Sequence, residues 1–102
     1  MFQLWVYVPK DHLEPVKKAL FAAGAGRIGN YDQCCWQVKG QGQFRPLAGS
    51  DAFVGELGKV EHVEEYKLEL VCSGEVKSAV KDALLTAHPY EEPAYGFFSF
   101  ET

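Results

Sequence analysis

The chain has 102 residues, 47% hydrophobic and 24% charged, which predicts one globular domain over residues 1–102. A net charge of −4 lacks the excess of Lys and Arg that neutralises nucleic-acid phosphates, so DNA and RNA are not expected partners. No stretch approaches the ~20 apolar residues of a membrane span and the amino terminus has no signal-peptide pattern, so we expect a soluble protein without a membrane partner. Three cysteines, Cys34, Cys35 and Cys72, form an odd number without C-x-x-C spacing, which argues against a disulfide framework and favours a reducing, cytoplasmic location.

Alternation with period two predicts the first strand over residues 2–8, with large apolar side chains on both faces. Apolar residues then recur at helical spacing from Leu13 to Ala23, which predicts the first helix. Asp11 and Glu14 have the spacing of a capping pair at its start. Gly24 is expected to end this helix, because glycine readily adopts the left-handed conformation of a C-terminal cap.

Further alternating and aromatic stretches predict strands over residues 33–39, 43–45, 61–72 and about 95–100. Gly40 to Gly42 is interpreted as a turn before the short second of these strands. Residues 47–59 carry glycines without periodicity and predict the longest irregular segment. Val76 to Ala87 has a strong apolar stripe at helical spacing and predicts the second helix.

This order of elements predicts an α+β fold of the ferredoxin-like, split β-α-β kind, with two helices on one face of an antiparallel sheet. Two helices cannot cover both faces of the sheet. Trp5 and Tyr7 lie on the opposite parity of the first strand and therefore predict an apolar patch on the uncovered face. We expect another subunit to cover that patch in a homo-oligomer.

Gly24 to Gly29 matches G-x-G-x-x-G, a dinucleotide-binding fingerprint when it follows a strand and opens a helix. Here it follows a predicted helix and precedes a strand, which favours a helix-ending turn. The sequence contains no phosphate-binding P-loop, zinc-protease or nucleophile-elbow motif. Cys34 and Cys35 are adjacent on a strand, point to opposite faces and cannot readily chelate one ion. Common catalytic signatures are therefore absent.

The richest stretch in chemically active side chains is HPYEEPAY, residues 88–95. Its two prolines stiffen the connection between the second helix and the last strand. Such a stretch serves either as a structural junction or as a site for a metal ion or small ligand, since an imidazole and carboxylates are common metal ligands. His12 and Glu14 are similarly open to two interpretations, either residues of the first helical turn or further ligand contacts.

Four stretches carry a family resemblance: Val8-Pro9 with His12 and Glu14, residues 19–31 (ALFAAGAGRIGNY), residues 40–46 (GQGQFRP) and residues 88–95. They cover nearly the whole chain and resemble the PII/CutA-like inserted domain of YqfO-type dinuclear metal proteins, relatives of Ngg-interacting factor three. His88-Pro89-Tyr90-Glu91 followed by Pro93 is also similar to the H-P-Y-E-x-P stretch of CutA, a relative associated with divalent-cation tolerance.

The resemblance implies a ferredoxin-like domain that tends to form trimers, with loops that reach a neighbouring subunit. In the larger proteins a separate domain carries the two-metal site, and some relatives bear a GTP cyclohydrolase label. This chain corresponds to the small domain alone, so neither the two-metal site nor that activity is expected of it.

The leading hypothesis is a noncatalytic, oligomeric binding and sensing module with a metal ion or small ligand near HPYEEPAY and with the irregular segment 47–59 nearby. The candidate metal ligands are His88 and Glu91, for a divalent ion. The candidate ligand-binding residues are His12, Glu14, Tyr90, Glu92 and Tyr95. Two alternatives stay open: a hydrolase whose interface metal lowers the pKa of bound water, and a domain that docks on another protein.

Overall fold

The first strand, β1 (Phe2–Pro9), lies inside a four-stranded antiparallel sheet in the computed structural model, which describes residues 1–102. The other elements are α1 (Leu13–Ala22), β2 (Trp36–Phe44), β3 (Glu61–Cys72), α2 (Lys77–Ala87) and β4 (Tyr95–Ser99). The strand order is β2-β3-β1-β4, so β1 pairs with β3 on one side and with β4 on the other. The predicted α+β, ferredoxin-like architecture is confirmed.

The core lies between the two helices and one face of the sheet. The eight largest fully buried side chains are Leu4, Val6, Val8 and Leu68 from the sheet and Val16, Leu20, Val80 and Leu84 from the helices. Full burial of a side chain of this size contributes about 1.5–3 kcal/mol. The period-two pattern of β1 and β3 and the helical pattern of α1 and α2 thus bury their apolar residues in one shared layer. Neither helix is long and apolar enough to cross a membrane.

The prediction of two strands separated by a turn between residues 33 and 45 is wrong. The structure has one continuous strand, β2, that passes through Gly40 and Gly42 and pairs with β3 as far as Phe44. A Cβ atom on Gly42 would collide with the carboxyl group of Glu65 on β3. Glycine at residue 42 therefore leaves room for the Glu65 side chain of the neighbouring strand. Besides marking a turn, glycine occurs within a strand where another group approaches the backbone closely.

The predicted capping pair at the start of α1 is also wrong. A 3₁₀ turn, Lys10–His12, precedes the helix, and the Leu13 amide donates to the Lys10 carbonyl. No side-chain cap forms, and the Glu14 carboxylate instead lies 3.1 Å from the Lys17 amine. The 3₁₀ turn thus provides the Leu13 amide with a backbone carbonyl partner at the position where a side-chain cap was predicted.

The glycine-rich segment after α1 is a helix-ending loop, as predicted. Gly24 and Gly26 have φ angles of +108° and +80°, in the region that favours glycine. The Gly26 amide donates to the Val71 carbonyl at 2.7 Å, and its carbonyl accepts from the Cys34 amide at 2.8 Å. These bonds fasten the loop to β3 and to the chain that leads into β2.

The other face of the sheet carries no helix and is called the helix-free face below. Trp5 is half-buried with its ring over Gly96, where an added Cβ would lie 2.9 Å from the ring, and Tyr7 is 38% exposed. Trp36 is 69% exposed, and Phe98 is also exposed. The aromatic residues predicted for the uncovered face therefore lie on the helix-free face.

Candidate ligand-binding cleft

His88 joins the end of α2 to β1. Its Nε2 atom lies 2.7 Å from the Tyr7 carbonyl oxygen, and its Nδ1 atom accepts from the Tyr90 amide at 3.1 Å. These partners place the ring proton on Nε2, which donates to Tyr7. The residue is only 5% exposed, and burial lowers the pKa of His88 although the Tyr7 carbonyl opposes this effect. The neutral ring thus acts as a structural junction, one of the two roles considered from the sequence.

Backbone contacts hold the turn after His88 in place. The Tyr7 amide donates to the Ala94 carbonyl at 3.2 Å, which ties the end of the turn to β1. The Asp51 amide lies 3.2 and 3.3 Å from the two carboxylate oxygens of Glu91, which ties the turn to the irregular segment between β2 and β3. Three distant parts of the chain therefore meet at this turn.

A cleft of about 250 Å³ opens where these parts meet, at one end of the helix-free face. Four aromatic rings and three carboxyl groups contribute to its wall: Tyr7, Phe44, Phe53 and Tyr90, with Glu65, Glu91 and Glu92. The remaining lining residues are small, apolar or uncharged: Gln43, Pro46, Ser50, Ala52, Val54 and Ala94. The cleft is thus aromatic and acidic, and Lys, Arg and His are absent from its lining.

Glu65 and Tyr90 form the most buried polar part of this wall. Burial raises the pKa of Glu65, while the nearby Tyr90 hydroxyl opposes the shift. Burial and the charge of Glu65 raise the pKa of Tyr90 to about 12. The Tyr90 hydroxyl is buried and lies near Glu65 without meeting the geometry of a hydrogen bond. It is therefore available to a ligand that can donate or accept a hydrogen bond.

Phe53 separates the cleft from His12. Its ring lies 6.3 Å from the Tyr90 ring and 5.3 Å from the His12 ring, in the latter case edge to face. The His12 Nδ1 atom is buried without a hydrogen-bond partner on the far side of Phe53. Phe44 completes the aromatic wall, with its ring centre 6.0 Å from that of Tyr90.

The structure brings together some of the residues proposed from the sequence and disperses others. Tyr90, Glu91 and Glu92 all line the cleft. Glu14 is exposed on α1, and Tyr95 packs edge to face on Phe97, with ring centres 6.4 Å apart, beside the core. Neither lines the cleft, so their assignment as ligand-binding residues stays a prediction.

The metal ligands proposed from the sequence also stay predictions. No group of three or more His, Cys, Asp and Glu side chains is arranged to hold a metal ion. Both ring nitrogens of His88 already have backbone partners, and Glu91 accepts from the Asp51 amide. A metal at His88 would have to displace the Tyr7 carbonyl or the Tyr90 amide from the ring.

Sequence reasoning missed four of the seven aromatic and acidic lining residues: Tyr7, Phe44, Phe53 and Glu65. Tyr7 was assigned to the helix-free face alone, and Phe44 to a separate short strand. Glu65 shares its strand parity with other charged residues, which is typical of a solvated face. The glycine at position 42 was the one local signal, because it lies beneath the Glu65 carboxyl group.

Solved structures of CutA proteins share the fold of this domain. The solved structure of the periplasmic divalent cation tolerance protein CutA from Archaeoglobus fulgidus superposes with a TM-score of 0.69 at 18% identity, over 100% of this chain and 86% of that one. At this identity the match establishes the fold alone, and the domain is CutA-like in architecture. No protein-family model matches the sequence.

Closer relatives define the family. A Bacillus cereus protein related to NIF3 superposes with a TM-score of 0.84 at 40% identity, over 99% of this chain and 26% of that one. A GTP cyclohydrolase 1 type 2 homolog from Mycobacterium leprae is 47% identical over 93% of this chain and 25% of its own length. This chain is thus a domain of the NIF3-related family, and it spans about a quarter of the length of those relatives.

Proposed function

We propose that this domain is a noncatalytic module that self-associates through the helix-free face and holds a small ligand in the cleft beside residues 88–95. The observation that carries the proposal is the cleft itself, whose walls come from β1, β2, β3, the irregular segment and the turn after α2. Small-molecule sites are commonly concave, mostly apolar and supplied with a few polar groups that orient the ligand.

Self-association is supported by the exposed aromatic residues of the helix-free face. Trp36 and Phe98 are well exposed although each belongs to a strand, and Tyr7 connects this face to the cleft. Trp36 and Phe98 lie on the two edge strands, with Glu69 and Trp5 between them, and apolar side chains grouped on one face commonly mark sites of interaction. A second copy of the chain would bury these rings, and we propose a homo-oligomer, with a trimer as the favoured form.

A binding role rather than a catalytic one is supported by the state of His88. A general base must be free to take a proton from a reacting group. Both nitrogens of this imidazole are committed to backbone partners, and burial lowers its pKa. The ring holds the cleft together and is not offered to a substrate.

Calorimetric titration tests the ligand part of this proposal. Zn²⁺, Cu²⁺, Co²⁺ and small organic cations, anions and neutral compounds would be titrated into the wild type and the variants Glu65→Gln, Glu91→Gln and His88→Ala. Glu69→Gln is the control, because this carboxylate on β3 lies outside the cleft. An organic ligand in the cleft should bind more weakly to Glu65→Gln and equally to Glu69→Gln.

The same titrations separate a divalent metal ion from an organic ligand. Binding of one of the three metal ions that is lost in both His88→Ala and Glu91→Gln would support the metal site predicted from the sequence. If no compound or ion binds the wild type, the ligand part of the proposal fails. Light scattering tests the other part, and a monomer at high protein concentration would contradict self-association.

A further inference from the structure

We propose that the cleft takes an organic cation, an alkylammonium or guanidinium group held between the rings of Phe44, Phe53 and Tyr90 and the carboxylate of Glu65. This inference rests on the proposed binding function and specifies the chemical class of the ligand. The group belongs either to a free amine or to a Lys or Arg side chain of a peptide, which present the same chemistry to the cleft.

The charge of the wall favours a positive ligand. Glu65, Glu91 and Glu92 line the cleft, and its lining includes no Lys, Arg or His that would attract a phosphate or a carboxylate. The lowered pKa of His88, whose ring lies behind the Tyr90 backbone, keeps that neighbouring imidazole from adding a positive charge. Anionic ligands such as nucleotides would therefore meet repulsion without compensation.

The aromatic rings supply a second, independent reason. Cations are attracted to the negative faces of aromatic rings, and several rings around one cavity form the kind of cage that recognises alkylammonium groups. The Tyr90 ring centre lies 6.0 Å from that of Phe44 and 6.3 Å from that of Phe53, so Tyr90 packs against both rings, and all three rings line the cleft. Carboxylates alone would attract inorganic cations equally well, whereas the rings favour a cation that carries hydrocarbon.

The unpartnered Tyr90 hydroxyl is the third observation. It is buried in the wall and has no hydrogen-bond partner, and the Glu65 carboxyl group is held nearby above Gly42. An N–H group of an ammonium or guanidinium ion could donate to the hydroxyl oxygen and another to the carboxylate. A neutral hydrocarbon of the same shape would leave the hydroxyl unpartnered.

Cleft size limits the ligand to one head group with a short chain. The volume of about 250 Å³ lies below the ~300–1,000 Å³ of common sites for drug-sized molecules. It suits a butyl chain with one charged group rather than a nucleotide. Probes that carry a similar short alkyl chain and differ in head group can therefore separate the effect of charge from that of shape.

The test is a calorimetric comparison of butylguanidinium, butylammonium, 1-pentanol and pentanoate on the intact chain in its solution oligomeric state. We expect one of the cations to bind about tenfold or more tightly than 1-pentanol, and pentanoate to bind least. Glu65→Gln should weaken cation binding by about fivefold or more, whereas Glu69→Gln should not, because Glu69 lies four residues away on β3, about 13 Å along the strand. Thermal unfolding of both variants checks that each is folded.

Each outcome decides a separate point. Equal binding of 1-pentanol and the cations would overturn the cation inference and leave the cleft as a binding site. Tighter binding of pentanoate would overturn it in the same way. Binding by neither cation also overturns it, and the broader titrations then decide whether the proposed binding function survives.

A second pair of probes identifies the source of the cation. Spermidine represents free amines, and acetylated, amidated Ala-Lys-Ala and Ala-Arg-Ala represent protein side chains. Tighter binding of spermidine assigns the cleft to a free amine, and tighter binding of a peptide assigns it to a basic segment of a protein. Binding of none of these three, when a butyl cation does bind, restricts the ligand to a small monocation.

Discussion

The two faces of the same sheet differ in how their residues are stabilised. Along β1, Leu4 and Val6 are completely buried under α1 and α2, whereas Trp5 is half-buried and Tyr7 is exposed. One parity of the strand is thus satisfied within the protomer. The other parity carries Trp5 and Tyr7, which in the proposed function contact a neighbouring copy and, at the Tyr7 end, a ligand. Under that proposal, stability and function are divided between residues that alternate in the sequence.

The largest expected effect distinguishes the faces by stability. Leu68→Ala removes a fully buried side chain from the helix-covered face and should lower the free energy of unfolding by about 2–5 kcal/mol. Lys67→Ala, on the helix-free face, should change it by about 0.5 kcal/mol or less, because surface substitutions have small effects. Urea unfolding measures both values. Equal losses would show that the two faces contribute alike and would break the comparison.

The next effect concerns the junction between the faces. His88→Gln should lower the free energy of unfolding by about 1–3 kcal/mol, because the Tyr7 carbonyl and the Tyr90 amide lose a well-placed partner. The wild type should also lose stability as the pH falls below about 6.5, since the pKa of His88 is lower when folded than its ordinary 6.5 and the unfolded chain binds the extra proton.

The pH effect has its own measurement. Urea unfolding from pH 8 to pH 5 should give a steeper loss of stability in the wild type than in His88→Gln. Above pH 6.5 the His88 contribution is fully present, and the difference between the two proteins should be constant. Parallel curves over the whole range would contradict a buried neutral imidazole.

A smaller effect on stability but a clear one on association is expected at Trp36. Trp36→Lys places a charge on the exposed apolar patch and should shift the protein toward the monomer, with a change in protomer stability within about 0.5 kcal/mol. Leu85→Lys is the control, since Leu85 is an exposed apolar residue of α2 on the other side of the molecule. Light scattering across a range of concentrations distinguishes them. Identical association of the two variants would exclude the helix-free face as the interface.

The smallest expected effect on the free energy of unfolding distinguishes Gly40 from Gly42, the two glycines of β2. Gly40→Ala should stabilise the protein by about 0.5 kcal/mol, because nothing lies near the added methyl group and the unfolded chain loses freedom. Gly42→Ala should lack this gain and weaken ligand binding, because its Cβ would displace the Glu65 carboxyl group. Unfolding and calorimetry measure the pair. Unchanged binding in Gly42→Ala would remove Glu65 from the site.

The fold could be predicted because each element carries its own periodic signal. The alternation in β1 and β3 and the helical stripes of α1 and α2 are local properties, and buried apolar faces must meet. The continuity of β2 was missed because Gly40 and Gly42 have the local appearance of a turn. Only the cross-strand position of Glu65 explains the glycine at position 42.

Only part of the candidate site could be predicted. Tyr90, Glu91 and Glu92 lie in one stiff stretch, so the sequence drew attention to all three. Phe44 and Phe53 come from segments far away along the chain, and no local pattern pairs them with this turn. Glu14 is far from the turn in the sequence and does not line the cleft, and its pairing with Lys17 satisfies the carboxylate on the surface of α1.

The register of β3 with its neighbouring strands also decides whether Glu64 or Glu65 faces the cleft. Glu64 points to the side of the helices and pairs with Lys39, whereas Glu65 points into the cleft. Moving the strand by one residue would exchange these two side chains and would also turn Leu68 and Leu70 toward water. An insertion or deletion within β3 would thus disrupt folding together with the proposed ligand site. A change in the length of the segment between β2 and β3 would cost little folding stability but would displace Phe53 from the cleft.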